Sequence, residues 1–313
     1  MNESIPANEG SARSAALPLT ERRNAASAAM DDMSALDLLV LLNQEDQLAV
    51  ASVTAVLPQL AILVESAADR VRSGGTVHYF GAGTSGRLAV LDAAELIPTF
   101  AVSPTLVQAH IAGGERAIAH AVERSEDSDA DGIRDARDLG LHDVAIGLTA
   151  SGTTPYVWGA LRTARANGAL TALVTSNGDS PLTALADIFL APLTGAEVLT
   201  GSTRLKAGTA EKVILNGFST ALMVALGRTY SNLMVSMIAT NAKLEQRTLR
   251  ILGEIGQGSD QENSALLQAA EGDLKLAVVS MLSGGTMDAS REALVSAGGS
   301  VREAVKLLGS SGA

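Results

Sequence analysis

The chain has 313 residues, of which 47% are hydrophobic and 18% charged, enough to bury the core of one large domain and a small one. It contains no cysteine, which excludes a disulfide framework, a thiol nucleophile and a cysteine zinc site. Its formal net charge of −11 argues against general nucleic-acid binding, which needs a basic face. An anionic ligand would have to be held by local donors such as hydroxyls and backbone N–H groups.

The N-terminal region lacks the features of a targeting segment. Residues 1–25 have no continuous apolar core and are predicted to form a polar, flexible tail. Elsewhere, glycine, proline or charge interrupts the alanine-rich segments, so no stretch is expected to span a bilayer. We therefore expect a cytoplasmic protein without a membrane partner.

Helical spacing of apolar residues runs from Ser34 to Arg72, with a break near Pro58, and ends at Gly74-Gly75. Short runs rich in Val, Ile and Leu then alternate with helical patterns, which is typical of a parallel sheet covered on both faces. The predicted strands are Thr76–Gly81, Thr105–Ile111, Val144–Thr149, Leu170–Thr175 and Ile188–Ala191. The predicted intervening helices are Arg87–Leu96, Arg116–Arg124, Pro155–Asn167 and Pro181–Ala186. The fold class is therefore α/β, a doubly wound parallel five-stranded sheet, which binds ligands at the carboxyl ends of its strands.

The last third of the chain is predicted to be helical. Two long helices are expected at Thr203–Gly227 and Ser231–Leu252, followed by a hinge at 256–258. Four short helices are expected after the hinge: Asp260–Ala270, Leu274–Leu282, Met287–Ala297 and Val301–Leu308. The predicted organisation is a tail (1–25), a main domain (26–255) and a small helical C-terminal domain (256–313).

The first motif is the run GAGTSG at residues 81–86, between a predicted strand and a helix. Its glycines allow a tight turn and a close approach of ligand, the helix N-terminus favours an anion, and Thr84 and Ser85 add hydroxyls. The spacing also fits a dinucleotide fingerprint, although no clear acidic ribose-binding residue ends the next strand. A plain structural turn is the third interpretation.

A second hydroxyl-rich loop spans 149–154 and precedes the helix that begins at Pro155. Thr149, Ser151 and Thr154, together with the helix N-terminus, predict an oxyanion cradle that needs no lysine. The alternative is a helix cap, in which Thr154 only starts the helix. Because both loops lie at one edge of the sheet, a phosphate site is favoured.

Charged residues near these loops are candidates for chemistry. Glu95 lies at the end of the predicted helix after the first loop, and Glu126 lies in an acidic run; two carboxyl groups in different environments can divide acid and base roles. Arg204 and Lys206 could complete an anion site or contact a partner subunit. The alternative for Glu95 and Glu126 is that they are ordinary solvated surface residues. The alternative for Arg204 and Lys206 is that they lie on the solvated face of a helix start.

Other catalytic constellations find no support in the sequence. The four histidines show no metal-ligand spacing, and ordinary partly buried histidines are the favoured interpretation. The chain has no Gly-x-Ser-x-Gly elbow, which argues against a Ser-His-Asp hydrolase.

Five runs of the sequence together resemble the N-acetylmuramic acid 6-phosphate etherases, lyases of peptidoglycan recycling with the sugar-isomerase (SIS) fold. The runs are 81–100 (GAGTSGRLAVLDAAELIPTF), 111–128 (IAGGERAIAHAVERSEDS), 150–157 (ASGTTPYV), 200–212 (TGSTRLKAGTAEK) and 239–244 (ATNAKL). The resemblance covers roughly residues 25–310, and the combination in this order is specific although each glycine loop alone is not. The sequence departs from many relatives at Thr153 (Arg in those), Ala94 (Ser) and Leu96-Ile97 (Cys-Pro), all beside the expected site.

The resemblance implies a ring-opened sugar substrate with an aldehyde at C1, a D-lactyl ether at C3 and a phosphate at C6. A base removes the C2 proton, lactate leaves from C3, and water adds to the unsaturated aldehyde, giving N-acetylglucosamine 6-phosphate and D-lactate. By motif, Glu95 matches the glutamate that protonates lactate and then activates water, and Glu126 matches the C2 base. No metal and no cofactor are implied.

The same resemblance implies how the substrate is held. In the wider fold family the loop after the third strand binds the sugar phosphate, which here implicates Thr149, Ser151 and Thr154, with Ser85 from the first loop. Glu95 is expected in an apolar or charge-crowded pocket that raises its pKa, because an acid must be protonated near neutral pH. A homodimer is expected, with both subunits shaping the site.

Two other functions share this fold. A non-catalytic sensor resembling the glucokinase regulatory protein would be expected to lose one catalytic glutamate, whereas both motif positions are Glu here. A sugar-phosphate isomerase would share the phosphate cradle, but the two glutamates favour elimination. A DNA-binding regulator would need a basic helix-turn-helix, which the N-terminal region does not offer.

Overall fold

Five parallel strands organise the main domain in a computed structural model, which describes residues 18–236, 242–256 and 258–310. The strands are β1 (Val77–Gly81), β2 (Val107–Ile111), β3 (Val144–Leu148), β4 (Leu170–Val174) and β5 (Ile188–Leu190). Their order is β2-β1-β3-β4-β5, and all neighbours are parallel. Each observed strand lies within a predicted one, so the doubly wound parallel sheet is confirmed.

Helices surround the sheet and form the C-terminal region. In the main domain they are α1 (Ala35–Ser52), α2 (Leu57–Arg72), α3 (Gly83–Phe100), α4 (Arg116–Ala119), α5 (Asp129–Ala136), α6 (Pro155–Ala166) and α7 (Lys206–Ala225). The later helices are α8 (Ala242–Gly256), α9 (Asp260–Ala269), α10 (Leu274–Ser283), α11 (Met287–Ser296) and α12 (Val301–Ser310). A 3-10 turn over Val53–Val56 accounts for the break predicted near Pro58.

Two helix predictions are wrong in part. The helix expected over 116–124 stops at Ala119, because His120 adopts an extended backbone and Arg124 a left-handed one with φ of 60°. The helix expected from Ser231 is replaced by a turn in which Tyr230 and Leu233 form an antiparallel bridge. The rest of that predicted helix begins at α8, and residues 237–241, which include part of the run 239–244, lie outside the described residues.

The pleat of the strands separates two cores. Val77 and Tyr79 of β1 point toward a core shared with α2, α3 and α7, whereas Phe80 points toward a second core shared with α5 and α6. The helix after β1 therefore lies on one face and the helix after β3 on the other. Because β1 and β3 are neighbours, their following loops diverge and leave a crevice at the carboxyl edge of the sheet.

A buried carboxylate fixes α3 against this sheet. Tyr79 of β1 and Ser219 of α7 each donate a hydrogen bond of 2.9 Å to Asp92 of α3. Burial raises the pKa of Asp92, while these two hydrogen bonds and the charge of Lys212 favour its ionised form. The contact joins three elements of the first core and so sets the position of α3, which begins at the first glycine-rich loop.

The C-terminal helices enclose a separate core. Its buried members include Leu252 of α8, Ala277 of α10 and Val301 of α12. The helix α8 thus packs with the C-terminal helices although almost all of it lies before residue 256. The predicted division of the chain at that residue stays a prediction.

Part of the predicted tail is held against the main domain. Thr20 is buried, and its carbonyl accepts a hydrogen bond from the N–H of Gly201 at 3.1 Å. The side chain of Asn24 donates to the carbonyl of Ala196 and to Glu45. Residues 1–17 lie outside the described residues.

One helical stretch meets the length and composition of a membrane span. By length and composition alone the region Ala35–Arg72 is long and apolar enough, and 33% of its most apolar window is buried. The expectation that no stretch spans a bilayer stays a prediction. The core helices of globular domains pass the same test, and in this chain α1 and α2 both pack against α7.

Candidate active site

The loops after β1 and β3 form the two sides of a cleft of about 320 Å³. The cleft is lined by Glu21, Ala82, Gly83, Thr84, Ser85, Glu126, Leu148, Thr149, Ala150, Ser151, Thr154, Gly201 and Thr203. The fold thus brings together the hydroxyl side chains that the sequence analysis selected from both loops, and it places one of the two selected glutamates beside them.

Glycines in the first loop allow α3 to start tightly against the sheet. A Cβ on Gly86 would lie 2.5 Å from the side chain of Ile111, and a Cβ on Gly81 would lie 2.7 Å from the backbone of Gly86. Gly83 has a φ of +54°, a conformation that favours glycine. These constraints turn the chain from β1 directly into a helix whose first turn carries Thr84 and Ser85 at the cleft.

The second loop is organised by its own hydroxyls. The hydroxyl oxygens of Thr149 and Thr154 share a hydrogen bond of 2.7 Å, and the N–H of Gly152 donates to Thr149 at 3.2 Å. Thr154 occupies the N-cap position of α6, yet its side chain makes no capping hydrogen bond. The hydroxyl is therefore turned toward the loop and the cleft, which argues against the interpretation of Thr154 as a simple helix cap.

Residues after β4, which were not predicted from the sequence, hold this loop through hydrogen bonds to its backbone. Asn177 donates to the carbonyl of Ser151 at 2.8 Å, and Ser180 donates to the carbonyl of Gly152 at 2.6 Å. Gly152 has a φ of +73°, and a Cβ there would lie 2.6 Å from Ser180. The only available signal was the run of small polar residues at the end of the next strand, where a parallel sheet places them beside the loop.

The two predicted catalytic glutamates occupy different places. Glu126 lies on a 3-10 turn over Ser125–Asp127 and lines the cleft. Glu95 lies on α3, ten residues beyond Ser85, which places it about 15 Å further along the helix axis. Glu95 is exposed and does not line the cleft of its own chain. The apolar or charge-crowded pocket expected around it is not formed by a single chain.

The basic residues near the cleft do not line it. The side chain of Lys206 is 4% exposed and forms an ion pair with Glu45 of α1 at 2.6 Å, while also donating to the carbonyl of Ala196. Arg204 is exposed and lies outside the cleft lining. Lys206 is therefore held in a buried ion pair, and the anion or partner contact expected of Arg204 and Lys206 stays a prediction.

A buried carboxyl lies beneath the first loop. Glu211 of α7 is 5% exposed, and its Oε2 lies 2.8 Å from the Oγ of Ser85. Burial raises the pKa of Glu211 to about 8, since removal from water disfavours the charged form. Ser85 connects this carboxyl to the cleft, because it lines the cleft from the first turn of α3.

Histidines stack on the opposite face from α3. His78 lies 3.0 Å from His110 through their ring nitrogens, and the ring of His110 stacks on Phe80 at 4.7 Å between centroids. Burial and the neighbouring His110 lower the pKa of His78 to about 4. Among residues 18–236, 242–256 and 258–310, no cluster of three or more His, Asp or Glu side chains has the geometry of a metal site.

The fold and the cleft define a sugar-isomerase (SIS) type domain. A five-stranded parallel sheet carries hydroxyl-rich loops at its carboxyl edge. Residues 59–165 match the profile of the glucokinase regulatory protein N-terminal SIS domain. The fold class expected from the sequence is therefore confirmed at both the sheet and the domain level.

Sequence relatives identify the family within this class. The chain is 51% identical to the N-acetylmuramic acid 6-phosphate etherase of Thermobifida fusca, over 84% of this chain and 86% of that protein. It is 45% identical to the etherase of Aliivibrio fischeri strain MJ11, over 92% and 96% of the two chains. It is 48% identical to that of Edwardsiella ictaluri, over 85% and 89%. The chain belongs to the N-acetylmuramic acid 6-phosphate etherase family, as the resemblance of its motifs implied.

Similarity to solved structures is more distant. A phosphoheptose isomerase from Francisella tularensis is 18% identical and aligns with a TM-score of 0.49, over 61% of this chain and 98% of that one. The family assignment rests on the sequence relatives.

Proposed function

We propose that the chain cleaves the D-lactyl ether of N-acetylmuramic acid 6-phosphate, giving N-acetylglucosamine 6-phosphate and D-lactate. The observation that carries the proposal is the meeting of a hydroxyl cradle and Glu126 at one cleft, in a chain that belongs to the etherase family. The curated relatives carry the etherase name, which does not favour the sensor or the isomerase alternative.

The substrate phosphate binds between the two loops. Ser85 approaches from the first turn of α3, and Thr149, Ser151 and Thr154 approach from the second loop. Hydroxyls suit this task in a chain of net charge −11, because they donate hydrogen bonds without requiring a buried cation. The N-terminal ends of α3 and α6 both point at the cleft and add a favourable dipole for an anion.

With the phosphate anchored, Glu126 acts on the opened sugar. The C1 aldehyde acidifies the C2 proton, and the Glu126 carboxylate accepts this proton. The electron pair forms a C2–C3 double bond as the C3–O bond to lactate breaks, and a carboxylic acid protonates the departing lactate oxygen. The same group, now a carboxylate, takes a proton from water as the oxygen of that water adds to C3, and Glu126 returns its proton to C2. Glu95 is the proposed acid.

Glu95 reaches this chemistry from a second copy of the chain. It is exposed on α3, and Leu91 and Ile97 of the same helix are 44% and 40% exposed. Other large apolar side chains are exposed on α1 and α2: Leu36 at 71%, Leu39 at 63%, Leu48 at 57%, Leu57 at 49% and Ile62 at 53%. An apolar surface of this kind is typical of a protein interface. A homodimer would cover it and would surround Glu95 with apolar groups.

The ligand class, the excluded partners and the location are proposed from the sequence. A phosphorylated amino sugar is the proposed ligand, and no nucleic acid, membrane, metal or cofactor is proposed. A location in the cytoplasm is proposed on the same ground.

Release of D-lactate from N-acetylmuramic acid 6-phosphate tests this function. The etherase forms equal amounts of D-lactate and N-acetylglucosamine 6-phosphate, whereas an isomerase forms a ketose phosphate and a sensor forms no product. Glu126→Gln, which keeps the size of the side chain, should abolish release. Binding of the phosphorylated sugar without turnover by the wild type would reject the enzyme in favour of the sensor.

A further inference from the structure

Glu211 is a buried carboxyl group that the elimination chemistry does not use. Its Oε2 lies 2.8 Å from the Oγ of Ser85, while its Oε1 is buried without a hydrogen-bond partner among the described residues. An ionised carboxylate oxygen in that position would lose its hydration without compensation, which is costly. The geometry therefore favours a neutral carboxyl in contact with a residue that lines the cleft.

Among the residues that the structure describes, no charged group stabilises the ionised form of Glu211. A narrow cleft beside it leaves no room for a water molecule, and its lining carries no other ionisable side chain. The lining consists of Ala150, Val174, Thr175, Ser176, Pro192 and Ala207. Several ionisable side chains on α1, α3, α7 and the segment before α7 have partners other than Glu211. Asp92 accepts from Tyr79 and Ser219, Glu197 accepts from backbone N–H groups at the start of α7, and Glu45 pairs with Lys206. Asp46 accepts from Thr209, and Lys212 donates to Asn216.

The protonation state of Glu211 decides where the Ser85 proton points. A serine hydroxyl has one proton to donate and lone pairs that accept. If Glu211 is ionised, it can only accept, so Ser85 donates to it and turns its lone pairs toward the cleft. If Glu211 is protonated, it can donate to the Ser85 oxygen, and the Ser85 proton is then free to point at an anion.

We propose that Glu211, in its neutral form, donates a hydrogen bond to Ser85 and thereby orients the Ser85 hydroxyl toward the substrate phosphate. Glu211 is a positioning residue for phosphate binding and touches no reacting atom. This role rests on the proposed phosphate site between the two loops. It adds the requirement that Glu211 be neutral when phosphate binds, since the negative charges of phosphate and of an ionised Glu211 repel each other.

The raised pKa of Glu211, about 8, supports the same conclusion. At neutral pH the carboxyl is largely protonated and oriented to donate. As the pH rises above about 8, it ionises, accepts a hydrogen bond from the Ser85 hydroxyl and places a negative charge next to the phosphate site. Phosphate affinity should therefore weaken as Glu211 loses its proton.

Calorimetric binding of N-acetylglucosamine 6-phosphate at pH 6.5, 7.5 and 9 tests this role. The proteins compared are the wild type, Glu211→Gln, Glu211→Ala and Ser85→Ala. Glutamine keeps a donor and cannot ionise, so Glu211→Gln is the matched control. The ratio of its dissociation constant to that of the wild type at each pH cancels the ionisation of the ligand and of every other group that the two proteins share.

We expect Glu211→Gln to restore at pH 6.5 the affinity that Glu211→Ala loses, with Glu211→Ala and Ser85→Ala each roughly tenfold weaker than the wild type. At pH 9 the wild type should bind about tenfold more weakly than Glu211→Gln, as a group with a pKa of about 8 requires. Thermal unfolding at each pH checks that the variants are folded, and if Glu211→Ala does not fold, the ratio of wild type to Glu211→Gln carries the test alone.

Two results would overturn the inference while leaving the phosphate site intact. One is a ratio that stays constant from pH 6.5 to 9, and the other is a Glu211→Gln protein as weak as Ser85→Ala at pH 6.5. A wild type that binds no phosphorylated sugar at any of these pH values would instead reject the phosphate site itself, and with it this role.

Discussion

The hydroxyl oxygens of Thr149 and Thr154 lie 2.7 Å apart, although the two residues are five positions apart along the second loop. The contact closes the loop on itself and replaces the capping bond that Thr154 would otherwise make to the start of α6. Both side chains therefore present their oxygens at one side of the cleft. This arrangement would let an acidic chain bind the proposed phosphate through hydroxyl groups, in a cleft whose lining carries no cationic side chain.

Removal of the Thr154 hydroxyl should weaken phosphate binding. Thr154→Val keeps the shape of the side chain but deletes one hydrogen bond to a charged group, a loss of about 1.5–3 kcal/mol. We expect the KM for N-acetylmuramic acid 6-phosphate to rise roughly ten- to hundredfold. Thr105→Val is the control, because Thr105 is exposed and precedes β2 at the other edge of the sheet. An equal effect of the two variants would contradict the assignment of the second loop.

The ion pair between Lys206 and Glu45 should matter for stability. Its side chains are 4% and 12% exposed, so Lys206→Met leaves a carboxylate in a mostly dry site. We expect a loss of about 3–5 kcal/mol in the free energy of unfolding, measured with urea. Arg250→Gln, which breaks an exposed pair with Glu254 at 3.6 Å, should cost less than about 1 kcal/mol. Similar losses for the two variants would show that the buried pair is not structural.

Glu211 should make stability depend on pH. Its pKa is raised from 4.5 in the unfolded chain to about 8 in the fold, so the folded state binds more protons between these values. The free energy of unfolding contributed by this group therefore falls as pH rises from about 4.5 to about 8, by roughly 1.4 kcal/mol per pH unit, and is constant above that window. Subtracting the curve of Glu211→Gln removes the contributions of other groups, such as His78. A difference that rises with pH would contradict a buried neutral carboxyl.

Mixed dimers test whether Glu95 serves the cleft of its partner. Glu95→Gln and Glu126→Gln should each be inactive as homodimers. In a purified mixed dimer, one site combines both substitutions and the other has neither, so about half of the wild-type activity should return. If both glutamates of a site come from one chain, the mixed dimer stays inactive. Light scattering on the wild type would reject the arrangement by showing a monomer.

Most of the fold could be predicted from patterns that are local in the sequence. Each strand is a short Val-, Ile- and Leu-rich run bounded by turn residues, and all five were predicted to within about two residues at each end. The hydroxyls of the two loops were found in the same way, because each loop directly follows a strand. Their meeting at one cleft followed from the rule that ligands bind at the carboxyl edge of a parallel sheet.

Contacts between distant parts of the chain could not be predicted from the sequence. Ser85 and Glu211 are 126 residues apart, and Lys206 and Glu45 are 161 apart, so no spacing predicts either pair. The buried ion pair of Lys206 could not be predicted from the sequence, because burial of a charged side chain depends on a partner that only the fold supplies. The environment of Glu95 could not be predicted either, since a single sequence does not show which surface the proposed second copy would cover.

Exchange of the C2 proton with solvent tests the central claim, the division of work between Glu126 and Glu95. The substrate N-acetylmuramic acid 6-phosphate is incubated in deuterium oxide with each variant and recovered, and deuterium at C2 is measured by mass spectrometry. With Glu95→Gln, we expect deuterium to enter C2 although D-lactate is not released; with Glu126→Gln, neither should occur. Deuterium incorporation at the wild-type rate by Glu126→Gln would contradict the account, because the base at C2 would then be another group.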